Sequence, residues 1–200
     1  MTSRQGPPTG SGTRHFASPV NLGAAATVAG GAGIDTVQMT AAATLTDSSF
    51  LNASSVETLR LTGASTITLG TNAASAGIVN VITGNGATSI TNSNGVTLNV
   101  NAAALANNTV LTLVGSSVEV VTGLIGNITA SALTGALTVT TGNATDNSIA
   151  IITGSAATSI TASGASDVVT VTATALAQNT ALTLIGSAAE TVTGLVGDIA

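Results

Sequence analysis

The sequence contains no cysteine, no tryptophan, no tyrosine and no lysine. Without cysteine there is no disulfide framework, no thiolate metal site and no thiol nucleophile. Three arginines with no lysine and no aromatic platforms leave no electrostatic footprint for nucleic acid, so no nucleic-acid partner is expected. Only 6% of the 200 residues are charged, and the net charge of −5 comes from scattered acids rather than an acidic tail. Disorder along the whole chain is disfavoured, because 44% hydrophobic content with little charge reverses the disordered signature. No apolar run approaches the ~18–20 residues of a spanning helix. An outer-membrane barrel would need aromatic girdles that this chain lacks. No membrane span is expected, and no cleavable signal is seen, since the first twenty residues lack its apolar stretch.

Threonine (36 residues), alanine (35) and glycine (23) fill the space. Residues 1–20 stand apart, with all three prolines (Pro7, Pro8, Pro19), the only histidine (His15) and two of the three arginines. They read as a disordered N-terminal tail. Residues 21–200 read as a repeat region, and repeats govern everything else. Val81–Thr91 matches Ile151–Thr161 at eight of eleven positions, with an offset of 70. Leu105–Ile128 matches Leu176–Ile199 at 16 of 24 positions, with an offset of 71. A weaker copy relates Thr36–Gly63 to Thr97–Gly123 at offsets of 60 to 62.

Inside this long unit lies a shorter period. Triplets with a large aliphatic residue between mostly Thr or Ser flanks begin at residues 44, 66, 89, 112, 138, 159 and 183. Polar–apolar–polar alternation is the period of a strand with one buried face. A recurrence near 23 residues lets each strand stack on its copy from the previous turn, three turns making the long unit. Leu45, Ile67, Ile90, Leu113, Val139, Ile160 and Leu184 would form one inward ladder. A second strand series is centred on Val37, Leu59, Val79 or Val81, Leu98, Val121, Ile149 or Ile151, Val171 and Val192. The linking segments carry Gly, Asn, Ser and Asp, which suit tight turns.

The expected fold is therefore all-β, a parallel β-solenoid of about six to seven coils. β-Sandwich repeats are the alternative, weakened by the absence of a core aromatic pattern and by the unit length. The alanine runs at Ala41–Ala43 and Ala102–Ala106 could form short helical turns at coil corners. The C-terminal Ile199-Ala200 aligns with Ile128-Thr129, in mid-repeat, so the chain is expected to be a piece of a longer protein with neighbouring repeats as partners.

The sharpest chemical motif is Gly30–Gln38, which fits the nonapeptide G-G-x-G-x-D-x-U-x throughout. Gly31, Gly33 and Asp35 are the candidate Ca²⁺ ligands, through turn carbonyls and one carboxylate. Later equivalents lose the acid: Thr88 and Thr158 stand in the corresponding places. Ca²⁺ is thus a candidate ligand, and no cofactor is required. Glu57, Glu119 and Glu190 recur once per long unit. Three coils apart they would sit ~14 Å from one another, too far for paired acid–base work, so a surface or turn-capping role is expected. The many hydroxyls have no base beside them. No catalytic residue is assigned and no enzyme activity is expected. Thr-x-Thr pairs (Thr44/Thr46, Thr66/Thr68, Thr138/Thr140, Thr170/Thr172) raise an ice-binding face as an alternative.

The nonapeptide, Ser55–Leu59 and the T-x-T-rich strands together resemble the β-strand-repeat proteins related to the RTX (repeats-in-toxin) family. These are giant secreted or surface proteins of Gram-negative bacteria, adhesins and S-layer-like proteins among them. The resemblance covers residues 21–200. It implies an extracellular or cell-surface location, export through a C-terminal signal, and contact with cell-surface or extracellular polymers. The function expected is that of a structural repeat segment: a stalk, adhesin or surface-layer element.

Overall fold

A computed structural model describes residues 13–16, 22, 27–144, 148–164 and 166–200. The chain opens with β1 (Thr13–Phe16), β2 (Val28–Ala29), β3 (Thr36–Met39) and β4 (Ala43–Leu45), then a 3₁₀ turn at Asp47–Phe50. β5 (Ala53–Ser54), β6 (Thr58–Arg60) and β7 (Ser65–Leu69) lead into the short helix α1 (Thr71–Ala76). Next come β8 (Asn80–Ile82), β9 (Thr88–Asn92), β10 (Leu98–Asn101), β11 (Val110–Gly115) and β12 (Glu119–Leu124). β13 (Asn127–Leu133), β14 (Leu137–Thr141), β15 (Ser148–Ile152) and β16 (Thr158–Ala162) continue the winding. β17 (Val168–Thr172), β18 (Ala181–Gly186), β19 (Ala189–Thr193) and β20 (Asp198–Ile199) complete it.

The strands form a parallel β-solenoid of about eight turns. From β6 onward they alternate between a ten-stranded and an eight-stranded sheet, all pairings being parallel. β2 and β5 make a separate two-stranded pair. Within the expected tail, residues 13–16 pair with β3 in parallel; the rest of residues 1–20, and Asn21, lie outside the described residues. No helix among the described residues is long and apolar enough to cross a membrane.

Alternation determines which side chains turn inward. In the ten-stranded sheet Val37, Leu59, Val81 and Val100 stack in register. Val121, Val139, Ile160 and Leu184 continue the same column. The eight-stranded sheet contributes Leu45, Ile67, Ile90 and Leu113, and further along Ile128, Ile151, Val171 and Val192. The two inner faces make one continuous core, and apart from half-buried Leu184 and Val192 these residues are buried. Fully burying each such side chain contributes ~1.5–3 kcal/mol, so the solenoid is held by many nearly equal layers rather than one central cluster.

The register corrects the expected seven-residue ladder. Leu45, Ile67, Ile90 and Leu113 belong to the eight-stranded sheet, whereas Val139, Ile160 and Leu184 belong to the ten-stranded one. The second series likewise changes sheet between Val121 and Ile149. The cause is β13, a strand that both series pass over. Its inward residues are Ile128, Ala130 and Leu133: the triplet flanked by Thr and Ser is centred on small Ala130, and Ile128 follows Asn127 instead of Thr or Ser. The adjacent coil is also short: Val110 pairs with Asn127, an offset of 17, whereas Ser159 pairs with Thr183, an offset of 24.

The long repeat is corrected in the same way. Val81–Thr91 spans β8 and β9, and its copy spans β15 and β16, seven strands later. Leu105–Ile128 and Leu176–Ile199 are also seven strands apart. An odd number of strands is three and a half turns, so the same sequence builds opposite faces of the solenoid. The weaker copy starts in β3 and in β10, both in the ten-stranded sheet, three full turns apart. Half a turn thus explains why the strong and weak copies have different offsets.

The helix also lies elsewhere than expected. Ala43 enters β4 and Ala102–Ala106 form non-helical turns, while residues 71–76 are helical. Asp47, on the preceding coil, caps this helix. Its carboxylate accepts from the backbone N–H groups of Gly70 (2.8 Å), Asn72 (3.1 Å) and Ala73 (3.0 Å), and from the Asn72 side-chain amide (3.0 Å). Gly77, with φ +97°, ends it.

Candidate functional site

The nonapeptide turn keeps its backbone signature. Gly31 and Gly33 have φ of +104° and +103°, the left-handed region where a side chain would be strained. Both glycines are exposed, but Asp35 is buried at the inner edge of the ten-stranded sheet. Its N–H donates to Glu57 Oε2 at 2.8 Å, and its carbonyl accepts from Thr58 N–H at 3.0 Å. Glu57 is thus tied to Asp35 one coil back, which matches the expected turn-capping role.

Ca²⁺ takes six to eight oxygens. Besides the turn carbonyls, Asp35 and Glu57 offer two carboxylates from adjacent coils, one of them already engaged with a backbone N–H. No group of three or more His, Cys, Asp or Glu placed to hold a metal occurs among the described residues.

Glu119 departs from the surface role expected of it. It is 1% exposed, pointing inward between Leu98 and Leu137 of the neighbouring coils. Its Oε1 accepts from Asn92 Nδ2 at 2.9 Å, across from β9 of the other sheet, while its buried Oε2 has no hydrogen-bond partner. Burial pushes the carboxyl up to about 8, against the smaller pull of the Asn92 amide. Glu119 is therefore a neutral acid inside the core at neutral pH. Sequence spacing gave no sign of this, because Asn92 lies 27 residues away and on the opposite sheet. Glu190 occupies the equivalent place in the second copy, but the position 70 residues on from Asn92 is Ala162. Its Oε1 is buried without a hydrogen-bond partner. Because β19 lies in the eight-stranded sheet, the three glutamates do not form one row.

The sequence marks Asp167 only as an isolated acid before Val168-Val169, and does not mark Asp47. Burial raises the Asp47 carboxyl, but the donors gathered at the start of α1 outweigh it and hold the group below its ordinary range. Asp167 Oδ2 accepts from Ala144 N–H at 3.2 Å, one coil back. Both acids join one coil to the next.

The Thr-x-Thr pairs do not share a face. Thr44, Thr66 and Thr170 lie on the eight-stranded sheet and Thr138 on the ten-stranded one. The outer column of the eight-stranded sheet is nonetheless regular. Thr44, Thr66, Ser89 and Thr112 stack in register, followed by Thr129, Ile152, Thr172 and Thr193. Beside its first four members runs a column of Ala42, Ala64, Ala87 and Val110, and the two columns border a shallow trough of about 350 Å³. The trough offers hydroxyls and methyls on a repeating backbone, with no charged group lining it.

No family model, no curated protein and no solved structure matches this chain.

Proposed function

We propose that the chain is a structural, non-catalytic segment of a large extracellular or cell-surface bacterial protein: a stalk, adhesin or surface-layer element. The observation that carries this reading is the eight-membered inner ladder from Val37 to Leu184, one continuous core built coil upon coil. Separating one coil from the next along the axis breaks a row of parallel strand hydrogen bonds and exposes apolar core, so such a core opposes extension. Use of the acids supports the same reading: Asp47, Glu57 and Asp167 bind backbone of a neighbouring coil. The surface location rests on the resemblance to RTX-related repeat proteins.

The test is single-molecule pulling of the full chain from its two ends. Stepwise unfolding is expected, each step releasing one coil of 17 to 24 residues, or roughly 6–8 nm of chain. Extension without force peaks would overturn the mechanical role. For the location, antibody against the chain should label intact producing cells; labelling only after permeabilisation would overturn it.

One observation favours a second reading, an ice-binding face: seven of the eight residues in the outer column from Thr44 to Thr193 carry hydroxyls. Its test is whether the chain shapes or slows growing ice crystals.

A further inference from the structure

Because the long repeat spans three and a half turns, the outer surface carries the same pair of columns twice, on opposite sides. On the eight-stranded sheet, Ala64 and Ala87 run beside Thr66 and Ser89. On the ten-stranded sheet, Ala136, Ala157 and Ala181 align beside Thr138, Ser159 and Thr183. We propose that these are complementary contact faces through which copies of this chain pack side by side, the eight-stranded sheet of one copy against the ten-stranded sheet of the next.

Three observations select a second copy as the occupant. The first is charge. Copies of a chain with net charge −5 repel one another on average. The described outward positions of the eight-stranded sheet carry no charge, nor do those of β14, β16 and β18. These are the faces on which like copies can meet without opposing charges being desolvated.

The second is period. The columns repeat at the strand spacing of ~4.8 Å, whereas an extended peptide repeats its side-chain face every ~6.7 Å and a helix every ~5.4 Å. A second solenoid presents the same ~4.8 Å period, so a contact made on one rung recurs on the next.

The third is area. The uncharged outward run of the ten-stranded sheet spans six strands, β8 to β18, and at ~4.8 Å per strand and about five residues of ~3.3 Å it covers ~480 Å². Two such faces bury ~950 Å² at most, below the ~1,200 Å² at which standard specific interfaces begin. A single contact is therefore weak, and its short Ala, Ser and Thr side chains lose little rotamer freedom on binding. Because the two faces differ and lie on opposite sides, the contact is heterologous and does not close on itself.

This deepens the scaffold reading by naming its partner, and the two can fail separately. The experiment is sedimentation velocity of the full chain from micromolar to millimolar concentration. Thr66→Lys and Thr138→Lys serve as variants, both at exposed outward positions, with circular dichroism as the check on folding. The wild type should grow beyond a dimer as concentration rises. Each variant alone should stay monomeric, while an equimolar mixture should form a heterodimer that grows no further. A wild type that stays monomeric at every concentration overturns the proposal, and does so even if a variant fails to fold. So does either folded variant assembling like the wild type, a mixture that forms no heterodimer, or a monomer that slows ice growth. A monomer that still unfolds coil by coil under load would leave the scaffold reading standing.

Discussion

Replacing Glu119 with glutamine should change how stability depends on pH. In the folded chain the Glu119 carboxyl is pushed up to about 8 from an ordinary value of 4.5, because it is buried between aliphatic layers with one hydrogen-bond partner. Between these two values the folded state holds a proton that the unfolded state releases. The stability this group contributes is fully present below pH 4.5 and is lost as pH rises toward 8. At 1.36 kcal/mol per pH unit, about 3 kcal/mol has been lost by pH 7. Glutamine keeps an acceptor for Asn92 and does not titrate. Its second amide N–H costs ~1–2 kcal/mol if it finds no partner, but that cost does not vary with pH. Urea unfolding of both proteins by circular dichroism at pH 5, 6, 7 and 8 should therefore give a difference that moves steadily in favour of Glu119→Gln, by about 3 kcal/mol over the range. Every other titrating group is common to both chains and cancels. Parallel stability curves would refute the reasoning, because they would mean that Glu119 reaches water in the folded state.

Three further expectations follow from coil-to-coil contacts. Asp47→Ala should destabilise by ~1–2 kcal/mol through loss of the cap on α1, seen as faster hydrogen exchange at Gly70, Asn72 and Ala73. Because the Asp47 carboxyl is held below 3.8, its contribution should be present above that pH and fade as pH falls through the folded value. Gly84→Ala should cost more than Gly95→Ala in thermal unfolding: a Cβ at Gly84 would sit 2.4 Å from the Thr62 backbone carbon, whereas at Gly95 it meets nothing within 4 Å and only the φ of +77° opposes it. Far-UV circular dichroism in EDTA should already show a β spectrum, unmoved by added Ca²⁺, since buried aliphatic side chains form the core along the coils. A disordered spectrum that becomes β on adding Ca²⁺ would overturn that and favour a Ca²⁺-triggered repeat.

The parallel solenoid was legible in the sequence because Thr and Ser flank one large aliphatic residue at each strand, a period that only a half-buried strand satisfies. What escaped was the sheet to which each strand belongs. In β13 the triplet flanked by Thr and Ser is centred on small Ala130 and the inward Ile128 follows Asn127, so one strand drops out of the count and every later strand lands on the wrong face. The count of six to seven coils rather than about eight omits β13 and also β1 and β20, the two ends of the ten-stranded sheet. The helix escaped because its cap, Asp47, comes from the coil before it, 23 to 26 residues back. Glu119 looked like a surface acid because Asn92, the partner of its carboxyl, lies on the opposite sheet. Local pattern marks strands, whereas partners one or more coils away decide burial and protonation.

The central claim is the register that places repeated sequence on opposite faces, and paired nitroxide labels test it most directly in a chain with no native cysteine. Thr112 is in register with Thr129 on adjacent strands, whereas Thr138, next in the sequence ladder, lies on the other sheet. Labels at Thr112→Cys and Thr129→Cys should show the strong dipolar and exchange broadening of neighbours ~5 Å apart, and labels at Thr112→Cys and Thr138→Cys should not. Broadening of the second pair, with none in the first, would contradict the fold described above.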